Sequence, residues 1–335
     1  MSLEIVAFAA DHSEAAAALL TRRHTADRRH TPLLPAAYED AAACGELLRQ
    51  ELEAGARGVV ALRDGVLVGY LLGRAEPPQP HGNPMLFEER TGSIRHSGHA
   101  IAAGETPALY RDLYAALAAQ WVAGGFFAHY VWVPASDTGA LETWAALGFA
   151  PDVCAAAREL DALQPARVGV ADGIVIRRAG PRDLESVIAL TTENMYYHCE
   201  APIFMPMFAN LEETIRTSIT AEIADPACVF WLAALDGQPV GLCSFFPTQP
   251  GLQTPERSIY LDHGYTVPEA RGSGVASALV AYGLRWARDE GYERCTVMYI
   301  PSNPLSSRFW PAQGFRPLYY RLARRIDPRI AWARR

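Results

Sequence analysis

The chain has 335 residues, of which half are hydrophobic and a fifth are charged, a composition typical of a soluble globular protein with room for two domains. Thirty basic against thirty-seven acidic residues give a formal net charge of -7, so the basic surplus that drives nucleic-acid binding is missing. The first residues do not read as a secretory signal, and no apolar run reaches the length of about 20 residues that a membrane span needs. We therefore expect a cytoplasmic protein with no nucleic-acid or membrane partner.

A segment near the end of the chain has a counterpart near its middle. Residues 309–315 read FWPAQGF and residues 143–149 read TWAALGF, at an offset of 314 minus 148, or 166 positions. Carried back without a gap, the same offset pairs Gly291 with Gly125. One module is therefore predicted to occur twice.

The repeat predicts a first module at residues 1–160, a linker at 161–172 and a second module at 173–335. Hydrophobic periodicity lapses across the linker. In the second module, strand, glycine turn, helix and strand follow one another, an order that predicts a right-handed parallel crossover in an α/β fold. The predicted elements are a strand (173–177), a helix after Asp183, a hairpin (229–235 and 240–246) turning at Asp236-Gly237, a strand (259–267), a helix (272–290), a strand (294–300), a short helix (304–311) and a final strand.

The turn between the strand 259–267 and the next helix is rich in glycine. It reads Thr266-Val-Pro-Glu-Ala-Arg271-Gly272-Ser273-Gly274-Val275-Ala276. Glycines let a backbone approach a ligand closely, and the N–H groups of a first helical turn favour a pyrophosphate. A plain helix-entry turn has the same local pattern, but the P-loop and dinucleotide-fold signatures are both missing.

A wider pattern makes the interpretation specific. The chain resembles the GNAT superfamily of N-acetyltransferases over most of residues 173–325. This resemblance implies two tandem GNAT-type acyl-CoA N-acyltransferase folds, each an α/β unit with a mixed sheet, and acetyl-CoA as cosubstrate without a metal. The residues that carry it are the acyl-CoA signature Arg271-x-x-Gly274-x-Ala276 and the closing segment Trp310-x-x-x-Gly314-Phe315.

The resemblance also assigns the cofactor-binding residues. Main-chain groups near Gly264, Thr266 and Val267 would pair with the pantetheine arm like an added strand, and Asn303 stands where such enzymes often have an asparagine that contacts pantetheine. The backbone N–H groups expected to hold the pyrophosphate belong to Arg271, Gly272, Ser273, Gly274, Val275 and Ala276.

Acyl transfer to an amine requires a base, because an amine of the lysine type is protonated at neutral pH. Family members often use a carboxylate on the strand 259–267, so Asp262 is the first candidate and His263 the second. Strand alternation predicts these two side chains on opposite faces, and a structural role stays open for each.

The tyrosine that often supplies the proton to the CoA thiolate in the family is replaced by Trp310, which leaves solvent, Tyr299 or Ser306 as the source. The six cysteines form no CxxC pair and no cluster with histidine, so neither disulfides nor a metal site is expected. We expect Cys295 to be an inert buried thiol.

The segment after the first helix of the second module forms one wall of the acceptor cleft in GNAT folds. Here it offers Tyr197, His198 and Glu200 as substrate-binding candidates. The predicted function is N-acetylation of a small-molecule or peptide amine by direct attack in a ternary complex, by a monomer or homodimer. Two alternatives remain: a catalytically idle acyl-CoA-binding or scaffold protein, and a thiol-cofactor acetyltransferase resembling mycothiol synthase.

The first module is predicted to keep the fold and lose the site. The apolar helix positions persist, but the glycine turn does not. A negative charge, a lost N–H donor and a bulky ring would all oppose a pyrophosphate, so we expect a structural module. At the 166-residue offset the signature is replaced by Glu105, Thr106, Pro107, Ala108 and Tyr110.

Overall fold

The computed structural model describes residues 2–76, 90–161, 173–207 and 210–333. Except for Asp161, the predicted linker lies outside the described residues. The chain divides into two compact units, and unit 1 consists of residues 1–154, 251–253 and 317–335, while unit 2 consists of residues 155–250 and 254–316.

The first half of the chain supplies most of unit 1, with helices packed on an antiparallel and parallel sheet. Its elements are β1 (Leu3–Ala7), α1 (Ser13–His30), α2 (Ala41–Glu53), β2 (Arg57–Arg63), β3 (Val66–Glu76), β4 (Thr91–Ile94), β5 (His99–Ile101), α3 (Leu109–Ala123), β6 (Ala128–Pro134), α4 (Thr138–Ala146) and β7 (Ala150–Glu159).

The second half repeats this order, as the sequence predicted, except that a single strand stands in place of β4 and β5. The helix α6 is not among the elements predicted from the sequence. The elements are β8 (Ile174–Arg178), α5 (Leu184–Tyr197), α6 (Leu211–Ala224), β9 (Val229–Leu235), β10 (Gln238–Pro247), β11 (Ser258–Thr266), α7 (Val275–Asp289), β12 (Arg294–Tyr299), α8 (Ser306–Ala312) and β13 (Arg316–Arg325).

The backbone confirms the repeat at the turns that require glycine. Gly125 and Gly148 have φ angles of 79° and 85°, and their counterparts Gly291 and Gly314 have 88° and 84°. Only glycine adopts such angles without strain. Each pair therefore ends the same element of the repeat with the same backbone conformation.

The predicted strand pairings of the second module are present. Asp236 and Gly237 both have positive φ, 51° and 81°, which matches the twist of a two-residue hairpin between β9 and β10. β11 and β12 pair in parallel and are connected by α7, as a crossover requires.

The boundaries of the compact units differ from the boundaries of the repeat. In unit 1 the strand order is β1-β2-β3-β4-β6-β13-β7, with β5 beside β3. In unit 2 the last residues of β7 begin the order β7-β12-β11-β10-β9-β8. Unit 1 thus contains β13, the last strand of the second repeat.

Long-range pairing holds β13 in unit 1. It runs antiparallel to β6. Its Arg321, which is 3% exposed, donates from Nη2 and Nε to the carboxylate of Asp152 at 2.7 and 3.0 Å. A two-pronged ion pair of this kind restricts the relative position of β13 and β7.

Each unit has its own apolar core. In unit 1 the helix positions Leu109, Leu113, Leu117 and Trp121 are buried, as predicted, in a cluster with Trp144. In unit 2 the buried residues of α7 include Val275, Leu279 and Leu284. Burial of side chains of this size stabilises each fold by about 2 kcal/mol apiece.

Candidate active site

A β-bulge interrupts β11 at Asp262 and His263. The register between β10 and β11 shifts by one residue here, so that both residues lie opposite Ser244. The Ser244 hydroxyl oxygen accepts the His263 N–H at 3.0 Å. A bulge bends its strand and breaks the alternation of side chains.

The bulge overturns the expectation that Asp262 and His263 point to opposite faces. Nε2 of His263 lies 3.1 Å from Oδ2 of Asp262. The hydroxyl of Tyr260 also hydrogen-bonds to Asp262, and burial raises the pKa of that hydroxyl well above its usual value. The prediction from alternation was wrong because one extra residue in the strand interrupts the alternation of side-chain directions. As a result, the two candidate bases form one pair.

The parallel ladder between β11 and β12 ends beside the bulge. Pairing stops at Leu261 and Val297, whereas the two strands continue to Thr266 and Tyr299. Beyond that point the edge of β11 is no longer paired with β12. An extended ligand can add to such an edge by main-chain hydrogen bonds.

Two helices bring polar side chains towards the Asp262–His263 pair. Burial lowers the pKa of His198, at the end of α5, and the charge of His263 lowers it further. Burial raises the pKa of Glu222 in α6, where the positive charge of a protonated His263 opposes the shift and the negative charge of Asp262 adds to it. Four titratable groups therefore share one environment.

Arg271 connects the glycine turn to α5. Its Nε donates to the Thr266 carbonyl at 3.2 Å, and its guanidinium lies 4.8 Å from the ring centre of Tyr197. The hydroxyl of Tyr265 hydrogen-bonds with both Arg271 and Glu193, and burial raises the pKa of this tyrosine. The Arg271 side chain is thus already engaged by the Thr266 carbonyl and by two aromatic rings.

The glycine turn at residues 271–276, called the cradle from here on, has the geometry of an anion-binding site. Gly272 and Gly274 have φ angles of 80° and 85°. No atom of the described residues lies within 4 Å of the position that a Cβ at Gly272 would occupy. α7 begins at Val275 without a side-chain cap at Gly274, so the first-turn N–H groups are not taken by a capping side chain. Ser273 donates its hydroxyl to the Ala270 carbonyl at 2.5 Å, and Ala276 lies in the first turn.

Two of the residues predicted to bind pantetheine make hydrogen bonds within the protein. The Val267 N–H donates to the Val240 carbonyl, and the Val267 carbonyl accepts from Ala270, both at 3.0 Å. The Asn303 side chain is buried, and its Oδ1 accepts the N–H groups of Leu305 and Ser306 at 3.0 and 3.2 Å. The Asn303 side chain therefore holds the turn that leads into α8.

Trp310 fills the place of the family tyrosine as a packing residue. It is 6% exposed, its ring packs edge-on against Phe315 at 5.5 Å, and its ring atoms lie 3.0 and 3.1 Å from where a Cβ at Gly264 would stand. Among the other candidates, Ser306 already donates to the Ile300 carbonyl at 3.3 Å. Cys295 is buried, which raises the pKa of its thiol.

The predicted substrate residues are not all brought together. Tyr197 contacts Arg271, and His198 lies within the electrostatic reach of His263. Glu200 is exposed in the turn that follows α5. Glu222 was missed, although one signal was available: it continues the buried stripe Leu211, Ile215, Ile219 of α6 at helical spacing, where a carboxylate is unexpected.

In the first module, the region equivalent to the cradle is filled by side chains of the same unit. Tyr110, at the position of Ala276, is 1% exposed. Its hydroxyl lies 3.1 Å from Nδ1 of His99, and its ring centre lies 5.8 Å from that of Trp144. Glu105, at the position of Arg271, is bound by both arms of the Arg63 guanidinium at 2.7 Å.

The part of the first module equivalent to β11 is also occupied by a side chain of the same unit. At the 166-residue offset, His96 stands at the position of Asp262, and the strand is split there into β4 and β5. The buried Arg23 of α1 donates to the backbone carbonyls of His96 and His99. These carbonyls are therefore already engaged by the chain itself.

Comparison with known proteins agrees with this geometry. Residues 194–315 match the Acetyltransferase (GNAT) family model. No curated protein sequence matches the chain. Family and fold together support acyl transfer as the general chemistry.

Solved structures share the fold over nearly the whole chain. A GCN5-related N-acetyltransferase from Sphaerobacter thermophilus is 18% identical with a TM-score of 0.61, and the match covers 97% of this chain and 96% of that one. A tandem GNAT protein from the clavulanic acid biosynthesis pathway is 15% identical with a TM-score of 0.51, covering 97% and 98%. These similarities show the fold, a tandem GNAT architecture.

Two further observations concern only the described part of the chain. None of its helices combines the length and the apolar character that a membrane span requires. Within the same residues, His, Cys, Asp and Glu side chains form no group with the arrangement of a metal site.

Proposed function

We propose that the second module transfers an acetyl group from acetyl-CoA to the amine of a small molecule or peptide by direct attack in a ternary complex. The observation that carries this proposal is the juxtaposition, along one strand, of the Asp262–His263 pair and the open ladder edge that leads to the glycine cradle. The pair supplies a base, and the cradle supplies an anion site for the pyrophosphate.

The residues suggest a division of labour. Nε2 of His263 faces the carboxylate of Asp262, an arrangement that fixes the orientation of the ring. The pair takes the proton from the acceptor ammonium, and the neutral amine then attacks the thioester carbonyl. The CoA thiolate leaves and is protonated by solvent, which is easy for a thiol with an ordinary pKa of about 8.5. This route needs no acid at Trp310.

The first module acts as a scaffold in this proposal. Support comes from the filled site around Tyr110 and from the strand carbonyls that Arg23 engages. The family resemblance and the cradle geometry support the use of acetyl-CoA and the assignment of the binding residues.

The test is release of CoA thiol from acetyl-CoA across a panel of alkyl, aromatic and peptide amines. All 30 basic residues of the chain are arginine, so lysine autoacetylation adds no background. Amine-dependent release supports the enzyme. Binding of CoA without release for any amine would instead favour the idle acyl-CoA-binding alternative.

A further inference from the structure

Most acidic side chains around the candidate acceptor site have a partner. Asp262 is bound by His263 and by the hydroxyl of Tyr260. Glu193 hydrogen-bonds to Tyr265, which also contacts the guanidinium of Arg271. These carboxylates are therefore compensated by the protein itself.

Glu222 differs from them. Its side chain is half-buried, and its Oε2 is fully enclosed without a hydrogen-bond partner in the described part of the chain. The charged groups that influence it are His263, which the protein pairs with Asp262, and Asp262, whose negative charge is unfavourable to a second carboxylate. Among the residues that the structure describes, none forms an ion pair with Glu222.

An enclosed carboxylate oxygen without a partner is unfavourable by several kcal/mol in general. The helix could avoid this with an apolar residue, because Leu211, Ile215 and Ile219 on the same stripe are buried in the fold. A carboxylate at this position has a clear use if a ligand cation completes its hydrogen bonds. The candidate ligand cation is the protonated acceptor.

We propose that Glu222 binds the ammonium group of the acceptor and makes the enzyme selective for alkylamines, which are protonated at neutral pH, over aromatic amines, which are neutral. This inference rests on the proposed function. The ammonium proton passes to the Asp262–His263 pair, and the freed amine forms the amide bond as the C–S bond of the thioester breaks. The nitrogen loses its second proton to solvent, and the CoA thiolate takes a proton from solvent. Glu222 transfers no proton in this step. Glu222 is thus a specificity residue, and the pair carries the proton transfer.

The test compares Glu222→Gln with Glu213→Gln, an equal loss of charge at an exposed position of the same helix. Thiol release is measured with benzylamine, which is a cation at neutral pH, and with aniline, which is not. A charge-assisted hydrogen bond contributes about 1.5–3 kcal/mol, which corresponds to a KM for benzylamine that rises about 10- to 100-fold in Glu222→Gln. The value of kcat/KM for aniline should change by less than about threefold, and Glu213→Gln should match the wild type.

Two further measurements separate this role from a structural one. CoA affinity measured by calorimetry should be the same in wild type and Glu222→Gln, which shows that the variant is folded. Glu222→Asp, which keeps the charge, should retain most of the preference for benzylamine. An unchanged benzylamine KM in Glu222→Gln, or equal losses for both amines, would overturn the inference. Failure of the proposed function is a different result, because the wild type itself would then release no thiol.

Discussion

The glycine cradle makes a prediction in which charge can be separated from shape. Gly274 has a φ of 85° and precedes the first turn of α7 without a side-chain cap. Asn and Asp have nearly the same volume, and both tolerate this backbone region better than other residues. Gly274→Asn therefore tests the added side chain alone, and Gly274→Asp adds a negative charge beside the expected pyrophosphate.

The size of the charge effect follows from electrostatics. Two unit charges about 6 Å apart at an effective dielectric constant of about 20 repel each other by about 3 kcal/mol. This corresponds to a loss of affinity of about 100-fold. The side chain itself adds about 1–2 kcal/mol of backbone strain in both variants.

We expect CoA to bind Gly274→Asp about 100-fold more weakly than Gly274→Asn at low salt, and the gap to narrow as salt screens the repulsion. Calorimetry measures both affinities, and thermal unfolding checks that each variant is folded. Equal CoA affinities in two folded variants would refute the assignment of this turn to the pyrophosphate.

Three further predictions concern the base, the first module and β13. Asp262→Asn and His263→Ala should each lower kcat by about 100- to 10,000-fold with CoA affinity unchanged. An unaffected kcat in either variant would contradict the proposal that the two residues act as one base. Titration calorimetry should give one CoA per chain, and the double substitution Arg271→Glu with Ala276→Tyr should abolish it; a stoichiometry of two would contradict the filled first module. Arg321→Ala should lower the free energy of unfolding by about 1.5–3 kcal/mol, because the charge-assisted hydrogen bonds to the partly exposed Asp152 are lost, and a loss below about 0.5 kcal/mol in chemical denaturation would show that the ion pair does not hold β13.

Much of the candidate site was predictable because it is local in the chain. The cradle is one continuous segment in which a strand, a glycine turn and a helix follow directly, so Gly272 and Gly274 could be identified from residue type and order alone. The repeat was predictable for a similar reason, since turn glycines such as Gly125 and Gly291 are required by backbone geometry.

Which of the candidate residues lie close together was decided by the tertiary structure. Alternation separates Asp262 from His263, and only the pairing of β11 with β10 reveals the extra residue that brings them together. Glu222 reaches the same environment from a different helix, and β13 adds to a strand of the first half of the chain. Composition and periodicity indicate which positions are apolar and which form turns. The contacts between these residues depend instead on packing between segments far apart in the chain, which no local pattern encodes.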